Sequence, residues 1–145
     1  MIHKMTASDL PDVNEIERTV LGYKANDEFL SETVLHNSMA HYYIYKIQDK
    51  TVGFAGLWIT NPNADIINIA VLEAYRRQGI AQALMDTLLE LCGDYEVENV
   101  TLEVRVDNDK AIHFYETNGF YKETIRKNYY QDATHAYLMV KKVGR

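Results

Sequence analysis

The 145-residue chain is poor in cysteine and proline, with one Cys, two Pro and seven Gly. Cys92 alone cannot close a disulfide within the chain, which fits a reducing compartment. It follows Leu91 near the end of a helical pattern and reads as a small buried apolar residue rather than a nucleophile. So few prolines and glycines leave no linker or low-complexity tract, and no internal repeat is visible. His3, His36, His41, His113 and His135 have no metal-ligand spacing with Cys92, so no metal is expected. No apolar run approaches the about 20 residues of a membrane span. Met1 to Thr6 lacks the apolar core of a signal peptide. Lys and Arg number 15 against 21 Asp and Glu, a formal charge of −6. A basic stripe for nucleic acid is therefore missing, whereas a cationic acceptor would suit this balance. The expectation is a cytoplasmic enzyme or binding module with neither nucleic acid nor membrane as partner.

What is present is an ordinary globular mixture, 47% hydrophobic and 25% charged, long enough for one domain over residues 1–145. Ile2 to Met5 reads as a strand, and Thr6 to Asp9 supplies capping residues before a helix with Pro11 in its first turn. Leu10, Val13, Ile16, Glu17 and Val20 form its face, with one polar break at Glu17, and Gly22 ends it. Asp27 to Asn37 has the spacing of a second helix. Tyr42–Ile47 and Thr51–Ile59 pair as a hairpin, and Asp65 to Val71 follows as a strand whose apolar runs suggest burial on both faces. From there the order is strand, helix (78–92), strand (100–106), helix (109–118), which implies parallel strands. Gly119 caps the last helix, and 121–126 and 136–140 close the sheet. The architecture is α/β (α+β): a mixed sheet of about six to seven strands, antiparallel first and parallel in the middle, with helices on both faces. Ligands of such sheets bind beyond the C-terminal ends of splayed parallel strands.

Asn68 to Leu84 is the stretch the chain is built around, a strand, a loop with Gly79, and a helix whose apolar face is Ile80, Ala83, Leu84, Thr87, Leu88 and Leu91. A helix start exposes unpartnered N–H groups at the positive end of a dipole, which is an anion site. Gly79 lets backbone approach a ligand, and Ala81 is the next smallest choice. The loop is neither G-x-x-x-x-G-K-[ST] nor G-x-G-x-x-G, so both common phosphate motifs are excluded. It does match [RQ]-x-x-G-x-[GA] as Arg76, Gly79 and Ala81. From these residues alone, an arginine-rich helix entry and a phosphate loop both fit.

The loop pattern resembles the pyrophosphate loop of the GNAT acetyltransferase superfamily. Leu102-Glu103-Val104-Arg105, Asn108, and Ala111-x-x-Phe114-Tyr115-Glu116-x-x-Gly119-Phe120 are similar to the second half of that fold. With Ile67 to Val71 ahead of the loop and Arg126 to Tyr130 behind, the chain resembles the bacterial ribosomal-protein-alanine N-acetyltransferases of the RimI type, over roughly residues 66–140. The resemblance implies a GNAT fold with splayed central strands and acetyl-coenzyme A as co-substrate. It also implies transfer to a protein N-terminal amine, of a ribosomal protein. A GNAT enzyme for a small amine or a lysine side chain, and a non-catalytic acetyl-coenzyme A module, are the alternatives.

By resemblance Arg77, Gln78, Gly79, Ile80, Ala81 and Gln82 hold the pyrophosphate, and Ile69, Ala70 and Val71 pair with the pantetheine amides. Asn108 reads locally as an N-cap, to which the family adds a pantetheine contact. Glu103 reads either as a polar residue on a half-covered strand or, by resemblance, as the general base. At pH 7, deprotonation costs about 1.4 kcal/mol for an α-amine near pKa 8 and about 4.6 for a lysine near 10.4. A carboxylate meets the smaller demand, which favours an N-terminal amine. Tyr115 is a core aromatic or, by resemblance, the acid toward the departing sulfur. A phenol near 10 facing a thiol near 8.5 makes full transfer uphill by about 2 kcal/mol, so hydrogen-bond stabilisation is the expected role. His113 points about 200° away from Tyr115 on the helix and is expected to be exposed. Two stretches depart from the family. The tail from Tyr130 to Ala136 is short and carries His135 where an acid is expected, and Gly22 to Asn26 lacks a Pro-Trp pair. Both face the acceptor in the resembled fold, so acceptor identity stays open, as does oligomeric state.

Overall fold

The computed structural model describes residues 1–21 and 35–144. Among these, seven strands form one sheet: β1 (Ile2–Lys4), β2 (Ala40–Ile47), β3 (Lys50–Thr60), β4 (Asn63–Val71), β5 (Asn99–Arg105), β6 (Tyr121–Arg126) and β7 (Ala136–Lys142). Their spatial order is β1-β2-β3-β4-β5-β7-β6. The helices are α1 (Leu10–Ile16), α2 (Ile80–Asp94) and α3 (Asp109–Thr117). Neighbouring strands run antiparallel except β4 and β5, which are parallel with α2 as their crossover. The helix expected over Asp27–Asn37 lies outside the described residues but for its last three positions, and Gly22 lies outside them too.

Period-two alternation sorts the strands between two cores. On one face α2 buries Ile80, Leu84, Met85, Leu88 and Cys92 with Val52, Leu57, Ile66, Val100 and Leu102. The stripe is turned from the expected one: Ala83, Thr87 and Leu91 are only half-buried, and Met85 and Cys92 are fully buried. Burial pushes the Cys92 thiol up to about 11, so it stays protonated and packs as an apolar residue. On the other face α1 buries Val13 and Ile16 against Tyr42, Ile44, Phe54 and Ala70. Asp9 accepts the Thr6 N–H at 2.8 Å ahead of α1, and Pro11 sits in its first turn. The α-helical run ends at Ile16, earlier than the apolar spacing predicts. A wider, π-type turn takes over from Glu17 to Leu21.

One irregularity positions the site. Gly56 pairs with Asn68 and Leu57 with Ile66, which leaves Ile67 as an extra residue in β4. Such a bulge bends its strand and sharpens the local twist. Ile67 is consequently 41% exposed, against the expectation of burial on both faces. The β4–β5 ladder is correspondingly short: it runs from Asn63–Asn99 to Asp65–Thr101, and beyond that rung the strands part.

Candidate active site

The loop after β4 leads into α2 through two left-handed residues, Arg77 (φ 64°) and Gly79 (φ 78°). A Cβ at Gly79 would meet no atom within 4 Å, so the backbone angle, not crowding by the protein, requires glycine. The first bond of α2 runs from Ala83 N–H to Gly79 O at 3.0 Å. The N–H groups of Ile80, Ala81 and Gln82 precede it without intrahelical partners, and Gly79 offers no capping side chain. The Gln82 side chain is occupied otherwise, donating to Asp86 and Asn118 at 2.8 Å each. It ties the start of α2 to the end of α3 and leaves only its backbone N–H for a ligand. Arg77 and Gln78 are exposed beside the turn, and Arg76 Nε donates to Val71 O at 3.2 Å.

Leu72 N–H donates to Val52 O at 2.9 Å. Backbone groups alternate in direction along an antiparallel pair, so Ile69 and Val71 turn theirs away from β3, toward the gap. Past Asp65 no rung of β5 meets them. Ala70 differs from the sequence expectation. The same alternation turns its backbone to β3, where it pairs with Phe54, and its side chain is buried in the core under α1. An extended chain with amide groups fits the Ile69–Val71 edge as an added strand would.

Across the gap, Glu103 stands on β5 on the face opposite Val100, Leu102 and Val104. Leu138 is its neighbour on β7, with Thr124 beyond on β6. Its Oε2 is buried without a hydrogen-bond partner among the described residues. Burial raises its carboxyl above the usual range, the Arg126 charge opposes this, and Asp65 adds to it. Asp65 is held by the Thr101 hydroxyl, which donates to its Oδ1. Tyr129 completes the group: burial raises its phenol, the Glu103 and Asp65 charges push the same way, and Arg126 opposes them. Arg126 and Tyr129 belong to the stretch that carries the family resemblance, but nothing in the sequence ties them or Asp65 to Glu103, to which strand order brings all three.

Tyr115 lies on the other side of the sheet, packed on the α2 core with its ring 6.0 Å from that of Phe120. No acceptor among the described residues holds its hydroxyl, and burial pushes the phenol up to about 12. Glu103 and Tyr115 thus lie on opposite faces of the sheet. Asn108 is an N-cap, its Oδ1 accepting from Ala111 N–H at 3.2 Å, and His113 is exposed as the helical rotation predicts.

Residues 7–120 match the acetyltransferase (GNAT) family model. The chain belongs to the GNAT acetyltransferases. Over 131 residues it is 32% identical to the ribosomal protein bS18-alanine N-acetyltransferase of Escherichia coli (strain K12), covering 89% of this chain and 86% of that one. The crystal structure of the ribosomal-protein-S18-alanine N-acetyltransferase from Escherichia coli matches with a TM-score of 0.85 at 29% identity, over 100% of this chain and 94% of that one. Ard1 from Thermoplasma volcanium matches with a TM-score of 0.84 at 31% identity, over 100% and 98%. GNAT acetyltransferases use acetyl-coenzyme A. The uncapped start of α2 and the free β4 edge fit its pyrophosphate and its amide-bearing arm.

Of the two departures from the resembled family, Gly22 to Asn26 lies outside the described residues, and His135 has a structural partner here. Its Nδ1 accepts the Asn128 N–H at 2.9 Å, and its O accepts from Val106 N–H at 3.1 Å, bracing the β6–β7 connection. Arg105 works on the same connection, bonding Asp132 at 2.5 Å and Thr134 at 2.8 Å and lying 4.9 Å over the Tyr130 ring. That guanidinium holds the Asp132 carboxyl down at about 2. The bracing fixes the turn that carries Tyr129 toward Glu103.

Proposed function

We propose that this GNAT acetyltransferase transfers the acetyl group of acetyl-coenzyme A to the α-amine at a protein N-terminus, with a ribosomal protein as the acceptor. It acts as one domain over residues 1–145, in the cytoplasm, by direct attack and without a metal. One observation carries the reading: a half-buried carboxylate with an unpartnered oxygen, Glu103, faces the gap between β4 and β5. The similarity to enzymes named for N-terminal alanine acetylation supports the choice of acceptor.

Arg77, Gln78, Gly79, Ile80, Ala81 and Gln82 hold the pyrophosphate, chiefly through backbone N–H groups. The Ile69 edge and the Val71 N–H hold the pantetheine amides, and Asn108 adds a contact to the pantetheine. Glu103 takes the proton of the attacking amine, directly or through water. Its raised pKa narrows the gap to an α-ammonium near 8, so that transfer is less uphill than to an ordinary glutamate. Tyr115 donates a hydrogen bond to the departing sulfur. With its phenol near 12 and a thiol near 8.5, full proton transfer is uphill by about 5 kcal/mol, more than the unshifted value implies. Its contribution is therefore electrostatic. Holding thioester and amine in one crevice supplies most of the acceleration.

Mass spectrometry of a peptide panel incubated with the protein and acetyl-coenzyme A tests the proposal. Acetyl groups on N-terminal amines, alanine-first peptides leading, are the expected result. Acetylation confined to internal lysines or to small amines overturns it.

A further inference from the structure

Glu17 is the polar break in the apolar face of α1, and the reaction described above leaves it without a task. It is 3% exposed, and its Oε1 is buried with no hydrogen-bond partner among the described residues. An unpaired buried polar atom destabilises a fold, and native proteins pair nearly all of them. Glu17 also opens the π-type turn, a departure from α-helical spacing that is frequent at functional sites.

Its surroundings lead to the acceptor face. The turn packs against β4, and the Tyr42 phenol feels the Glu17 charge. Tyr42 lies across Gly56, where any side chain would collide with its ring, and its hydroxyl accepts from Trp58 Nε1 at 3.3 Å. Trp58 pairs with Asp65, which pairs with Thr101, two residues from Glu103 on the same face. A polar track therefore runs over the sheet from Glu17 to Glu103, on the side where the amine must arrive.

When ionised, the carboxylate accepts and does not donate, so the partner its Oε1 then lacks is an N–H or O–H. The turn that Glu17 opens packs against β4, and Glu103 stands on the neighbouring strand β5. Adjacent strands lie about 4.8 Å apart and a peptide rises about 3.3 Å per residue, so an extended acceptor that runs from Glu103 toward β4 carries its next backbone N–H groups over the strand on which the Glu17 turn packs. We propose that Glu17 determines acceptor specificity, its carboxylate accepting a backbone N–H of the acceptor peptide behind the reacting amine. This rests on the reading of the acceptor as a protein N-terminus, and it separates a peptide from a small amine, which has nothing to offer Glu17.

The test compares the full chain with Glu17→Met, which keeps the volume and removes the acceptor, and with Glu17→Gln, which keeps one acceptor oxygen. An alanine-first peptide and a small primary amine serve as substrates, and acetyl-coenzyme A affinity checks folding. Glu17→Met should raise the peptide KM tenfold or more, with kcat, small-amine kcat/KM and acetyl-coenzyme A affinity each within twofold of wild type. Glu17→Gln should recover part of the peptide affinity. An unchanged peptide KM in Glu17→Met, or an equal loss for both substrates, overturns the assignment while the N-terminal reading stands. If the wild type acetylates no peptide amine, that reading falls, and this one with it.

Discussion

Asp65 and Thr101 form the last rung of the parallel ladder between β4 and β5. The threonine hydroxyl fixes the aspartate where its charge bears on Glu103. The gap opens at that rung, so the residues that end the ladder also set the electrostatics of the carboxylate beside it.

Asp65→Asn removes a charge that raises the Glu103 carboxyl. The acidic limb of kcat/KM, which reports ionisation of the free enzyme, should move to lower pH. Glu103→Gln should lower kcat by about 10²–10⁴-fold and leave acetyl-coenzyme A affinity within about twofold. An acidic limb that stays in place in Asp65→Asn, or a Glu103→Gln enzyme with wild-type turnover, would remove Glu103 from the reaction.

Gly79 holds φ at 78° at the start of α2. An L-residue with Cβ costs about 1–2 kcal/mol there, and asparagine tolerates the angle better. Gly79→Ala should lose that much stability in denaturant titrations and bind acetyl-coenzyme A about tenfold more weakly, because the loop relaxes away from the donors of Ile80 and Ala81. Gly79→Asn should lose less of both. Equal behaviour of the two variants would mean that the angle does not govern the site.

Tyr115→Phe removes a hydroxyl that no described residue holds. Its melting temperature should match wild type, while kcat falls by about 10–100-fold as stabilisation of the leaving thiolate is lost. With the phenol pushed up to about 12, a basic limb near pH 8–9 in the wild type cannot be its titration. Such a limb should persist in the variant, and its disappearance would reassign it to Tyr115.

The alternation of apolar residues made most strands legible, and helical spacing with Asn108 and Gly119 at the ends made α3 legible to within a residue. The loop donors before Ala83 followed from the helix start itself. The bulge at Ile67 did not, since Ile66-Ile67 looks uniformly apolar and an extra residue in one strand is a property of pairing. The shortness of the parallel ladder was hidden for the same reason. The surroundings of Glu103 come from Asp65, Arg126 and Tyr129, far apart in the chain and joined only by the sheet order β4-β5-β7-β6. Glu17 was visible as a break in a pattern, but its isolation is tertiary.

Glu17 also predicts how stability responds to pH. Burial raises its carboxyl to about 7 from 4.5. The folded state therefore holds this proton more tightly than the unfolded chain, and the group's contribution is complete below about pH 4.5. It is lost as pH climbs through 7, when a carboxylate must ionise beside the Tyr42 ring with no donor at Oε1 among the described residues. Glu103 drifts in the same direction, so the wild-type profile alone does not isolate Glu17. The difference from Glu17→Gln does, because glutamine fills the same volume and never ionises. Without ligands, the wild type should lose a few degrees of melting temperature relative to Glu17→Gln between pH 5 and pH 8. Parallel profiles would mean that Glu17 reaches water or a donor in solution, and its place in the polar track would have to be given up.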